Sequence, residues 1–257
     1  MTVDPFLMVL FPFACVFLRT TGLFLTAPIL GARFVPPQVK VGLSLLTAFL
    51  LTGSVTVART PPTLFGWLGA AIGELLFGLF MGACASIILG AVEVAGHIVD
   101  VEIGFSMANV IDPAFGGSSA LMGTFKYLLI SVIFMAMDGH HLFLWGLSES
   151  FGVLPAGLAN LPSAWVQVAV QAAGRMLLIG LVLSCPVWAS LLITDVALGV
   201  LARSVPQLNI FVVGMPVKAL VGLSVLSASL GFYGAFTKEI SLSVRSILEN
   251  LLGVFAR

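Results

Sequence analysis

An all-α integral membrane protein is the fold class this sequence predicts, and three observations predict it. Hydrophobic residues make up 60% of the chain and charged residues 9%, with a mean hydropathy of +1.16, far outside the composition of soluble domains. About six apolar helical segments approach span length, which is about 20 residues for a helix rising about 1.5 Å per residue through a hydrocarbon core about 30 Å thick. Ionisable and proline residues interrupt those stretches, which marks helices packed on other protein as broken hairpins rather than straight rods in lipid.

Taken in order, the stretches run from Phe6 to Leu30, Val41 to Val57, Phe65 to Val92, Leu121 to Leu147, Met176 to Ala202 and Ile210 to Phe236. Only the second is free of charge. The first holds Arg19, the third Glu74, the fourth Lys126 and Asp138, the fifth Asp195 and the sixth Lys218. A charge facing lipid at mid-bilayer depth costs about 3 kcal/mol, so each of these side chains is expected to face protein or water. Cys185-Pro186 and Gly214-Met215-Pro216 break the later stretches. With Arg19 inside the first stretch set aside, the other ten Lys and Arg divide five and five between the two sides of a six-span arrangement, so the positive-inside rule gives no orientation. PPQVKVGLSLLTA from Pro36 and GMPVKALVGLSVLSA from Gly214 echo each other, a match too short to establish an internal duplication.

Several function classes drop out on composition. Eleven acidic and eleven basic residues balance, which indicates neither a nucleic-acid-binding face nor a polybasic anchor. Cys15, Cys84 and Cys185 lie in apolar runs without metal-ligand spacing and read as packing residues. MTVDPFLM has no basic region ahead of its apolar stretch, so a cleaved signal peptide is not expected. No Ser-His-Asp arrangement, CxxC pair, phosphate-binding loop or dinucleotide fingerprint is present, so the sequence reads as that of a non-enzyme with no cofactor and no metal.

Three polar stretches remain as candidates. Glu93, His97 and Asp100 share one face of a helix and read as a face turned to water or to a neighbouring subunit; Glu102 lies off that face. Asp138-Gly139-His140-His141 reads as a helix break with wet imidazoles, because adjacent residues on a continuous helix point about 100° apart and do not chelate together. The segment from Phe105 to Ser119 combines bulky apolar residues, Phe105, Met107, Val110, Ile111 and Phe115, with the helix breakers Asp112-Pro113 and Gly116-Gly117. Such a loop at membrane depth either packs against protein or closes a pore hydrophobically. Finally, ARSVPQLNIFVVGMPVK, from Ala202 to Lys218, is a polar interlude between apolar runs, and Lys218 at a helix start needs a carboxylate or carbonyl from outside its own helix.

FLRTTGLFLTAPILGARFVPPQVKVGLSL, AGHIVDVEIGFSMANVIDP, DGHHLFL and ALGVLARSVPQLNIFVVGMPVK resemble, in the same order, runs of the FliR family of flagellar type III export-gate membrane proteins, which is related to the T-type subunit of injectisomes. The resemblance implies a subunit joined from a P-type part, residues 1–170, and a Q-type hairpin with a C-terminal tail, residues 171–257. It implies assembly with the P-type and Q-type subunits FliP and FliQ, contact with FlhB and FlhA, passage of unfolded flagellar proteins, and residence in the bacterial inner membrane within the flagellar basal body. By position, the pore plug maps to Phe105, Met107, Val110, Ile111, Phe115, Gly116 and Gly117. Arg203, Pro206, Gln207 and Asn209 map to a hairpin tip that meets a cytoplasmic partner, with both termini on the opposite side. Arg19, Glu74, Asp195 and Lys218 map to buried or interface charges. His97, Asp100 and Glu102 depart from the residues usual in that family and add charge beside the plug. A virulence-type injectisome subunit is the near alternative, and an ion-coupled small-solute transporter the distant one.

Overall fold

The computed structural model describes residues 5–32, 34–56, 63–106, 120–158, 165–205, 207 and 209–255. These residues are almost entirely α-helical: α1 (Pro5–Thr26), α2 (Pro37–Thr52), α3 (Leu64–Ile103), α4 (Leu121–Ala136), α5 (His141–Val153), α6 (Trp165–Ser204), α7 (Ile210–Ser229) and α8 (Tyr233–Phe255), with one 3₁₀ turn, Leu230–Phe232, between the last two. By length and apolarity three stretches suffice to cross a membrane, Phe65–Ile103, Trp165–Ser204 and Val212–Val254, and a fourth does if α4 and α5 count as one broken span.

Element lengths correct the six-stretch reading. α3 and α6 have 40 residues each, so each is about 60 Å long, twice the thickness of a hydrocarbon core. Apolarity fades toward their ends, at Glu93 to Glu102 in one and before Met176 in the other, while the helix continues. The fourth stretch is two helices, because Met137 leaves helical geometry and Asp138 takes φ 58°. The C-terminal region, read as a tail, is α8. Its residues Ile240, Val244, Ile247, Leu248 and Leu251 are buried while Lys238, Glu239, Arg245 and Glu249 are exposed, the spacing of an amphipathic helix.

The chain divides into two compact units. The first comprises Met1–Ile88, Asp138–Ala173 and Ser241–Arg257, and the second Leu89–Met137 and Gly174–Ile240. Within the first, α1 and α3 meet backbone to backbone. A Cβ added at Gly78 would lie 2.1 Å from the Arg19 carbonyl oxygen, and one at Gly22 would lie 2.5 Å from that of Leu75. Gly78 and Gly82 are four residues apart, the small-residue spacing that brings membrane helices together when lipid offers no hydrophobic gain for their association. Thr26 Oγ1 donates to the Leu79 carbonyl at 2.9 Å across the same contact. Phe11, Phe24, Phe77, Phe143, Leu147 and Leu248 fill the surrounding core.

Within the second unit, α3 and α4 approach equally closely. A Cβ on Gly96 would lie 2.1 Å from the Gly123 Cα. Val99, Ile103, Met122, Val187, Leu191 and Leu226 form its apolar centre. α3 ends on Gly104, whose φ of 96° suits a glycine and closes the last helical turn.

Replacing Gly78 with Leu is expected to destabilise the α1–α3 contact by at least about 3 kcal/mol, the upper range for overpacking, because the obstructing atoms are backbone. Thermal unfolding of the detergent-solubilised chain, followed by tryptophan fluorescence, checks this against Gly69→Leu, where added atoms meet open space.

Candidate functional site

Charged side chains that an apolar chain must shelter form the candidate site, and each unit shelters its own. In the first unit Arg19 and Glu74 are both fully buried. Arg19 Nε donates to Glu74 Oε2 at 2.6 Å and Nη2 to Oε1 at 3.1 Å, the two-pronged geometry that suits a guanidinium to a carboxylate. Its remaining donors reach Ser150 Oγ at 3.0 Å and the Leu154 carbonyl at 3.0 Å. Glu74 Oε1 also accepts the Gly157 backbone N–H at 2.7 Å. The guanidinium lies between the Phe77 and Phe151 rings, 4.9 and 4.1 Å from their centroids. One ion pair thus joins α1, α3, α5 and the turn that follows α5. The sequence marked both charges but gave no sign of Ser150, Leu154 or Gly157, whose roles arise only from chain geometry.

The second unit holds two arrangements. Asp100 is 2% exposed and accepts the backbone N–H groups of Met122 at 3.1 and 3.0 Å and of Gly123 at 3.3 Å. These are the unpaired amides of the first turn of α4, where Ala120 supplies no side-chain cap. Asp100 therefore caps a helix distant in sequence, and the close approach at Gly96, one turn earlier on α3, lets it reach. The reading of Asp100 as part of a trio turned to water or to a neighbouring subunit is corrected accordingly: Glu93 and His97 are exposed, but Asp100 turns inward. Lys126, one turn into α4, is fully buried with Nζ unbonded among the described residues, and Asp100 is its charge neighbour.

Lys218 supplies the other arrangement. Its Nζ lies 2.9 Å from Asp195 Oδ2 and 3.8 Å from Glu102 Oε2, and Trp188 Nε1 donates to Glu102 Oε1 at 3.1 Å. The partners do come from outside its helix, as expected, but not for the reason expected: Lys218 is the ninth residue of α7, beyond the first-turn reach of the helix dipole, and partial burial of its ammonium is what calls for them. Glu102, Asp195 and Lys218 line an open cleft of about 400 Å³ with Gly199, Ala202 and Met215. An apolar cleft of about 480 Å³ is lined by Ile103, Phe105, Val212, Met215 and Pro216.

Of the plug residues, Phe105 is described: it is half-buried and packs against the apolar centre of the second unit. Met107, Val110, Ile111, Phe115, Gly116 and Gly117 lie outside the described residues, as does Pro206. Arg203, Gln207 and Asn209, around the α6–α7 turn, are exposed. Cys15 and Cys84 are buried as expected, whereas Cys185 is exposed on α6. Asp138 and His141 are exposed in the α4–α5 turn with His140 half-buried between them.

The profile of the family described as bacterial export proteins, family 1, matches residues 10–243. The chain belongs to that family. Among the relatives of this export-family chain, the flagellar biosynthetic protein FliR of Bacillus subtilis is 34% identical, covering 95% of this chain and 96% of that one. FliR of Escherichia coli is 31% identical over 91% of this chain and 90% of its own length. The secretion system apparatus protein SsaT of Salmonella typhimurium is 32% identical over 64% of each chain. The family match contains Arg19, Glu74, Asp100, Asp195 and Lys218, so the sheltered charges lie within the shared region.

Asp100→Ala is expected to remove about 0.5–2 kcal/mol from the first turn of α4, the usual range for a lost helix cap. Hydrogen exchange should show it as faster exchange at the Met122 and Gly123 amides. Asp100→Asn, which keeps an acceptor oxygen, should lose less, and unchanged exchange in the alanine variant would remove the capping role.

Proposed function

We propose that this chain is a subunit of the flagellar type III protein export gate and forms part of the channel through which unfolded flagellar proteins leave the cytoplasm. The observation that carries this reading is the likeness to FliR proteins along nearly the whole length of both chains. The injectisome relatives share the same physics with a different cargo. The flagellar reading is favoured because SsaT matches over a shorter share of the chain and SpaR of Shigella flexneri at 26% identity.

In this reading the chain sits in the bacterial inner membrane within the flagellar basal body. Residues 1–170 play the part of a P-type subunit and 171–257 that of a Q-type hairpin, assembled with FliP and FliQ. FlhB and FlhA meet the cytoplasmic side, where the tip at Arg203, Pro206, Gln207 and Asn209 offers polar contacts. The apolar exterior of α6 and α7, with Leu178, Ile193, Val196, Val200 and Leu220 more than half exposed, supports a chain clothed by lipid and sister subunits. The work of the subunit is steric rather than catalytic. Phe105 to Phe115, with Gly116 and Gly117, close the lumen by excluding water, and an arriving polypeptide displaces them. Nothing in the sequence supplies a nucleotide site, so energy enters through partners.

Affinity capture of the full chain from native membranes, followed by mass spectrometry, is expected to bring down FliP and FliQ, and loss of the chain to abolish swimming. Capture without either partner, or a swimming null strain, would overturn the flagellar reading. Deleting Ala108 to Gly117 should leave that assembly intact and make the membrane leak ions; an assembled deletion variant with unchanged conductance would overturn the plug.

A further inference from the structure

The chain has three histidines, His97, His140 and His141, and two of them are adjacent in the break between α4 and α5. Residues 137–140 form the turn between the two helices, and His140 and His141 meet where α5 begins. Met137 leaves the helix at φ −92°, ψ 17°, Asp138 takes the left-handed conformation at φ 58°, and His140 stands at the N-cap of α5. The break bends the path of the chain by 66°, and because His140 itself keeps helical φ and ψ, side-chain rotamers bring its ring to that of His141. The two imidazole centroids come to 4.3 Å, and Asp138 Oδ1 lies 3.9 Å from His141 Nδ1. One ligand atom from each of the three side chains fits within 4.8 Å of the others.

We propose that Asp138, His140 and His141 form a binding site for a divalent transition-metal ion of the zinc class. Two imidazole nitrogens and a carboxylate oxygen are the donors such an ion selects, and three protein ligands leave a position for water. Metal–ligand bonds of about 2.0–2.2 Å in tetrahedral geometry place donors about 3.3 Å apart. The present spread closes to that by side-chain movement alone, since the Asp138 and His141 side chains are 71% and 65% exposed and free to turn. A second observation points to a ligand: His140 Nδ1 is buried with no hydrogen-bond partner among the described residues, an arrangement that calls for a partner. A plain Asp138–His141 ion pair accounts for two of the side chains and leaves His140 unexplained. The negative end of α4, which carries no basic residue in its last turn, favours a cation here, and the positive end of α5 opposes it. The two nearly offset, so affinity resides in the ligands. A bound ion would hold the left-handed turn closed.

Cobalt(II) titration of the full chain, purified in detergent without a histidine tag and carrying Cys185→Ser to remove the exposed thiol, tests the site. The expected result is one ion per chain at micromolar affinity, with visible d–d absorption of nitrogen and oxygen ligation. Asp138→Asn and His141→Gln should each weaken binding about tenfold or more, since even changes around the ligands move metal affinity by that factor. His97→Gln should not. Unchanged size-exclusion profiles and helical circular dichroism certify that the variants fold. No micromolar binding, binding retained in the paired His140→Gln, His141→Gln variant, or binding lost with His97 would overturn the proposal.

Discussion

One constraint organises the first unit: Arg19 and Glu74 are both fully enclosed, so neither charge can be left without the other. Placing two charges in an apolar interior costs several kcal/mol per ion, by order of magnitude, and is repaid only where geometry is good and the remaining donors and acceptors are satisfied. Here they are, by Ser150, the Leu154 carbonyl and the Gly157 amide. Every other feature nearby can be read as meeting that requirement. Gly22 and Gly78 let α1 and α3 approach until Arg19 and Glu74 are in reach, and the φ of 95° at Gly157 aims its N–H at the carboxylate. The Phe77 and Phe151 rings then exclude water from the guanidinium without removing its attraction to a face of negative charge.

The second unit applies the same constraint with different parts. Asp100 is compensated by backbone amides of α4, with the buried Lys126 as its charge neighbour, and Lys218 by two carboxylates, one of which is held by Trp188. Both arrangements tie the last turns of α3 to its neighbours, immediately before the segment proposed as the plug. In the proposed gate such anchorage has a use: a loop that yields to passing polypeptide works only if its root does not. The exposed apolar surface of α6 and α7 complements this interior economy, since an assembly that shares walls leaves each subunit's outer face unpolar.

How much was legible in the sequence follows from what each signal physically is. That Arg19, Glu74 and Lys218 require shelter is a matter of desolvation, legible from charges set in apolar runs; Lys218 was read as standing at a helix start, whereas it lies more than two turns inside α7, so its need for a carboxylate comes from burial and not from the helix dipole. Asp100 was misplaced because periodicity reports which residues share a face of one helix and cannot report that another helix presents bare amides to that face. The lengths of α3 and α6 were underestimated because hydropathy measures contact with oil, and a helix continues past the oil wherever protein covers it. The break at Asp138 was visible as Asp-Gly, yet the approach of the His140 and His141 rings was not, since it depends on side-chain rotamers rather than on helical spacing. α8 was read as a tail because its apolar residues recur on one stripe instead of running together.

A double-mutant cycle on Arg19 and Glu74, read as unfolding free energy of the detergent-solubilised chain, tests the central claim most directly. Arg19→Leu and Glu74→Leu should each cost about 3–5 kcal/mol, because each strands a buried charge, while the double variant should recover most of that loss. Single variants within about 0.5 kcal/mol of the parent, or a double variant as unstable as the sum of the singles, would contradict the account.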